Sequence, residues 1–194
     1  RSLAAILECK TPGRRLSSEL LTGLTLGIAS ELELSHEEIK MLHYAALLHD
    51  AGMITVPEGI LTKPTRLTGP EYRLIQKVPV ASAQLIKPIR TFEPVLPMIL
   101  HHTERYDGKG YPSKLKKENI PLGARILSIV DAYESMVSDR PYRKALSSKK
   151  IKQELIENAG TQFDPNIVKI FLKILGKKKY NSSAPRKTSV VGQV

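Results

Sequence analysis

Ala45-Ala46-Leu47-Leu48-His49-Asp50-Ala51-Gly52 is the stretch on which the fold of this chain turns. An apolar helical run closes on an adjacent histidine and aspartate, followed by glycine. Neighbours on a helix point about 100° apart, so His49 and Asp50 do not share a face. A metal ion at a helix end can still take a ring nitrogen from one and a carboxylate oxygen from the other. The plain alternative is a buried histidine beside a helix stop. The rest of the chain decides between them.

Upstream, Ser35-His36-Glu37-Glu38 has the form of a capping box that opens this helix, with Ser35 as N-cap. Ile39, Leu42, Ala46 and Leu47 follow at helical spacing. His36 reads as a first-turn surface residue and His43 as a helix-face residue, not as ligands. Before it, Leu16, Leu20, Leu21, Leu24, Ile28 and Leu32 predict an amphipathic helix over 16–32. Leu3, Ile6 and Leu7 suggest a helix or linker over 1–12, broken at Thr11-Pro12-Gly13.

Downstream, 51–66 reads as loop, with Pro57, Gly59 and Pro64. Thr68-Gly69-Pro70-Glu71 opens a helix to about Lys77, and Pro79 restarts one that runs to Ile86. Another carries Met98, Ile99 and Leu100 into His101-His102. Asp107-Gly108-Lys109-Gly110-Tyr111-Pro112 is a turn-rich loop. Helices follow from Pro121 to Val137, from the Ser147 cap to Ala159, and from Pro165 to Gly176. No strand and no repeat is visible. The expected fold is an all-α helical bundle over 13–176, with a basic flexible tail over 177–194.

The chain has 194 residues and a formal charge of +11. That charge favours anionic partners, but it reads as a solvated basic face. The few aromatic residues do not interleave with the basic ones, so no nucleic-acid site is expected. No run reaches membrane-spanning length. The lone cysteine, Cys9, excludes an internal disulfide and suits a reducing compartment. The start at Arg1 suggests a piece of a longer protein with an upstream sensor or receiver domain.

His49-Asp50, His101-His102 and Asp131 stand out together. Three imidazoles and two carboxylates are ligand chemistry for first-row transition metals. Two such ions about 3.5–4 Å apart suit in-line attack on a phosphate. The ligands are scattered along the chain, so spacing alone does not assemble them.

The motif text goes further. Leu48-His49-Asp50-Ala51-Gly52 is followed by Ile60-Leu61-Thr62-Lys63-Pro64. Then come His101-His102-Thr103-Glu104-Arg105-Tyr106-Asp107-Gly108-Lys109-Gly110-Tyr111-Pro112 and Ile120-Pro121-Leu122-Gly123-Ala124-Arg125-Ile126. Asp131-Ala132-Tyr133, Ser138-Asp139-Arg140-Pro141-Tyr142-Arg143 and Gly160-Thr161-Gln162-Phe163-Asp164-Pro165 complete the set. Over roughly 16–175 this resembles the HD-GYP domains, a subgroup of the HD phosphohydrolases that cleave the bacterial second messenger cyclic di-GMP.

The resemblance implies a bacterial cytoplasmic signalling domain with a metal centre in its helical bundle. One metal position would hold His49, Asp50 and Asp131, the other Asp50, His101 and His102, with Asp50 bridging. Asp50 and Tyr111 would be the catalytic residues. Tyr111, Arg140 and Arg143 would meet the substrate and its phosphates. The cofactor would be iron or manganese, as two ions, one or none. The Gly-Tyr-Pro loop would also contact a protein partner.

Departures from the family pattern are equally specific. Its first-helix histidine falls on Ser17, and a glutamate sometimes found one turn earlier falls on Gly13. Its lysine after His-Asp-x-Gly falls on Met53, and a histidine before proline falls on Val78. The expectation is therefore a degraded metal site in a nucleotide-binding or protein-interaction module with weak or no hydrolysis. The alternative is an active metal-dependent phosphodiesterase that uses the remaining ligands.

Overall fold

A computed structural model describes residues 18–139 and 143–177. The Ser17, Gly13 and Arg140 positions, the 1–12 segment and residues 178–194 of the expected tail lie outside the described residues. Nine α-helices follow in order among those described: α1 (Ser18–Glu31), α2 (His36–Leu48), α3 (Glu58–Leu61), α4 (Gly69–Gln76), α5 (Val78–Ile86), α6 (Leu96–His101), α7 (Leu122–Val137), α8 (Ser148–Glu157) and α9 (Pro165–Lys177). No strand occurs among them. One isolated bridge joins Ala159 to Phe163. The fold is all-α, as the periodicity predicts.

The helix starts are written in the sequence. At α2 the Ser35 hydroxyl accepts from Glu38 N–H, and the Glu38 carboxylate accepts from Ser35 N–H at 2.8 Å. Thr68 and Glu71 repeat the device at α4. Each satisfies two amides that a helix start otherwise leaves open. Pro70, Pro79 and Pro97 sit in first turns, where a missing N–H costs nothing.

α7 is the axis of the bundle. Ile126, Leu127, Ile129 and Val130 are all buried, so the helix is covered on most sides. It packs on α1, α2, α6, α8 and α9. Tyr133 of α7 meets Phe171 of α9 edge to face, with centroids 5.2 Å apart. Burying a ring or branched chain of this size contributes about 1.5–3 kcal/mol. Arg125, near the start of α7, pairs with the buried Asp164 and donates its Nε–H to Ile120 O at 3.0 Å. Asp164 also accepts from Asn166 N–H at 2.8 Å and so caps α9.

The expected loop over 51–66 needs correction. A 3-10 turn spans Ala51–Thr55 and α3 spans Glu58–Leu61. The turn closes through Met53 N–H to Asp50 O at 2.9 Å and Val56 N–H to Met53 O at 3.1 Å. It is pinned to α5, where Gly52 N–H donates to the buried Ser82 hydroxyl at 2.7 Å. A Cβ on Gly52 would lie 2.4 Å from Val78 O and 2.6 Å from Ser82 N. Only glycine permits that approach. No helix among the described residues is long and apolar enough to cross a membrane.

Candidate metal centre

α2 and α6 end alike, and their ends meet. His49 Nδ1 lies 2.9 Å from Ala46 O, and His102 Nδ1 lies 2.7 Å from Ile99 O. A carbonyl only accepts, so each Nδ1 carries the proton and each Nε2 presents a lone pair. Both rings are buried and stand edge to face, centroids 5.1 Å apart. His49 Nε2 has no hydrogen-bond partner among the described residues. Asp50 Oδ2 lies 3.3 Å from it and Asp131 Oδ1 3.8 Å from it.

One ligand atom from each of His49, Asp50 and His102 lies within 4.8 Å of the others. Two imidazoles and a carboxylate fit a divalent first-row ion, and a buried lone pair with no donor is what such an ion would occupy. The residues present therefore fit a metal, with Asp131 alongside. Among the described residues no second group of three such side chains comes together.

The structure regroups the two adjacent histidines. His102 joins His49 and Asp50, whereas His101 Nδ1 lies 3.7 Å from Glu104 Oε1. Successive helical residues diverge by about 100°, which separates the rings. His36 is exposed and His43 stands beside Tyr44, with ring centroids 5.8 Å apart; neither joins the group. Met53 lies in the turn after Asp50, and the buried Val78 packs its backbone against Gly52 of that turn.

Glu104 was not singled out by the sequence reading. It is buried and accepts from Ser113 N–H at 2.6 Å. Its place three residues after His101 was the available signal. Glu104 ties the Gly-Tyr-Pro loop to the end of α6. Thr103 adds a bond to Tyr111 O at 2.9 Å. A Cβ on Gly110 would lie 2.5 Å from Glu104 Cα. The front of the loop leans on the chain just before α9. Tyr106 N–H donates to Gln162 O at 3.2 Å and Asp107 N–H to Thr161 O at 2.8 Å. The Arg105 guanidinium holds the Asp107 carboxyl below its usual range.

A cleft of about 660 Å³ opens over the centre, lined by Tyr72, His102, Tyr111, Asp131 and Arg143 among others. Burial, then the Tyr72 hydroxyl and the Asp131 charge, push the Tyr111 phenol above its ordinary value. Tyr111 therefore stays a neutral hydroxyl near pH 7. Arg143 donates from Nη2 to Ser135 O at 2.7 Å, which holds its guanidinium at the cleft wall.

A family model described as HD domain matches residues 1–167. A cyclic di-GMP phosphodiesterase of Pseudomonas aeruginosa is 36% identical over 178 residues, which is 90% of this chain and 43% of that protein. A 3′3′-cGAMP-specific phosphodiesterase of Vibrio cholerae is 32% identical over 170 residues, 88% of this chain and 37% of that protein. The chain thus spans less than half the length of these relatives. A solved HDG"Y"P protein from Bdellovibrio bacteriovorus shares the fold, with a TM-score of 0.67 at 20% identity over 80% of this chain and 50% of that one.

Proposed function

The chain belongs to the HD domain family and carries the motif set of its HD-GYP members, and from that premise we propose that it is a cyclic-dinucleotide domain with one retained metal position and weak or no hydrolysis. The nucleotide is cyclic di-GMP or a close relative, bound in the cleft beneath Tyr111 and Arg143. The observation that carries this reading is the single ligand group of His49, Asp50 and His102 among the described residues. In-line attack shared between two ions needs a second group.

When bound, the ion supplies Lewis-acid polarisation of a phosphoryl oxygen. The Ala46 and Ile99 carbonyls accept from Nδ1 of His49 and His102 and so fix both tautomers. Asp50 and Asp131 bring negative charge that favours a cation. Tyr111, kept neutral, donates its hydroxyl towards a phosphate oxygen, and Arg143 offers its guanidinium to the same anion, a role that the family pattern gives to Arg140 as well. The Met53 and Val78 side chains carry no cation, so they offset no developing charge. The exposed Lys109, Lys114, Lys116 and Lys117 around the Gly-Tyr-Pro loop suit an acidic protein partner. A bacterial cytoplasmic setting fits these ligands.

The second reading is an active phosphodiesterase, in which water adds across one phosphodiester bond to give the linear dinucleotide. It is favoured by His102 of the ligand group, with Asp131, lining the same cleft as Tyr111 and Arg143. Elemental analysis of protein purified with iron or manganese separates the two, together with chromatography of the nucleotide. About one equivalent of metal with little linear product supports the first reading. Two equivalents with turnover that disappears in His102→Ala establish the second. No metal and no nucleotide binding refute both.

A further inference from the structure

The cleft has a second wall that the metal centre does not use. Lys150, Glu154 and Asn158 line it from α8 and its C-cap. Steps of four keep them on one helical face. Lys150 Nζ lies 3.1 Å from Glu154 Oε1, and Asn158 Nδ2–H donates to Glu154 O at 2.9 Å. The Lys150 and Glu154 side chains keep 48% and 36% exposure, so they remain available to a ligand.

A carboxylate is out of place in a cleft for a nucleotide with two phosphates, because it repels them. The two other acids lining the cleft have evident roles. Asp131 flanks the metal group, and Glu104 holds Ser113 N–H. Glu154 has no such role, and Lys150 offsets its charge. What a carboxylate recognises on a nucleotide is paired N–H donors. Guanine presents two side by side, N1–H and the 2-amino group, which match its two oxygens. Adenine presents an acceptor at N1 and no 2-amino group, so the same carboxylate meets a lone pair. A site built to accept from such N–H groups rejects the analogue that lacks them.

We propose that Glu154 is the specificity-determining residue that reads a guanine base of the bound cyclic dinucleotide, with Lys150 holding its carboxylate in place. This rests on the cyclic-dinucleotide reading above. The competing account is an ordinary i, i+4 surface pair with no role in binding.

Calorimetry on the metal-loaded chain, with cyclic di-GMP and cyclic di-AMP as separate titrants, tests it. Wild type is expected to favour cyclic di-GMP. Glu154→Ala is expected to weaken cyclic di-GMP binding about tenfold while leaving cyclic di-AMP unchanged or tighter. Glu154→Gln, which keeps one acceptor oxygen, is expected to fall between. Equal shifts for both nucleotides mean that the residue acts through charge alone, and no shift for either means that it does not face the base; each overturns the proposal while the cyclic-dinucleotide reading stands. If wild type binds neither nucleotide, that reading falls and the proposal with it. Circular dichroism of both variants confirms that α8 is intact.

Discussion

His49 and His102, fifty-three positions apart in the chain, meet with ring planes 82° apart at the ends of two helices, each Nδ1 committed to the carbonyl three residues before it. The paired geometry turns both Nε2 atoms away from those carbonyls, and one ligand atom from each ring lies within 4.8 Å of the other and of Asp50. Saturating manganese or iron should therefore raise stability, by about 2.7 kcal/mol at one hundred times the Kd. Calorimetric Tm with and without metal checks this. His49→Ala should abolish the shift, and an undiminished shift in that variant would show that the ion sits elsewhere.

Gly52 is the point of closest approach between the turn after Asp50 and α5. Gly52→Ala should destabilise the fold by about 3 kcal/mol, because its Cβ meets backbone atoms of Val78 and Ser82 that have no room to yield. Ser82→Ala should cost about 1–3 kcal/mol by leaving Gly52 N–H buried without an acceptor. Urea unfolding at constant m-value measures both.

Arg125 and Asp164 join the start of α7 to the start of α9. Asp164 is buried, so Arg125→Ala leaves an uncompensated carboxylate and should cost about 3–5 kcal/mol. Arg125→Lys should recover only part, since a lysine cannot also reach Ile120 O with a fixed fork. Denaturant midpoints of the two variants, compared with wild type, rank these effects.

Glu71 offers a pH signature. The Lys63 ammonium at 2.7 Å, with the Thr68 backbone and hydroxyl, lowers its carboxyl to about 2. A lowered folded-state value means that the pair stabilises the protein above the unfolded value of about 4.3. That contribution is lost as pH falls from there through about 2. In Lys63→Met the Glu71 carboxyl should rise part of the way towards its ordinary value, the Thr68 bonds still holding it down, and its acid limb of stability should shrink. NMR titration of the Glu71 side chain reads this directly.

The helices were legible because their signals are local. Ser35 with Glu38, Thr68 with Glu71, and the first-turn prolines fix starts within a few residues of chain. α3 was hidden because Pro57 and Gly59 read as breakers, while the turn before it depends on Ser82, thirty residues away. The ligand residues were legible as motif text, but their grouping was not. That His102 and not His101 joins His49 and Asp50 depends on how the end of α6 meets the end of α2. Glu104, beyond the end of α6, and Glu154, within α8, look like ordinary acids until the cleft brings them into view.

The backbone bonds from Tyr106 and Asp107 to Gln162 and Thr161 set an order of assembly. Every member of the ligand group lies in the chain by position 102, yet the Gly-Tyr-Pro loop takes its support from residues made some fifty positions later. A chain growing from its N-terminus can bring its metal ligands together before the wall opposite them exists. The cleft wall that carries Arg143, Lys150 and Glu154 arrives only with the final third of the chain.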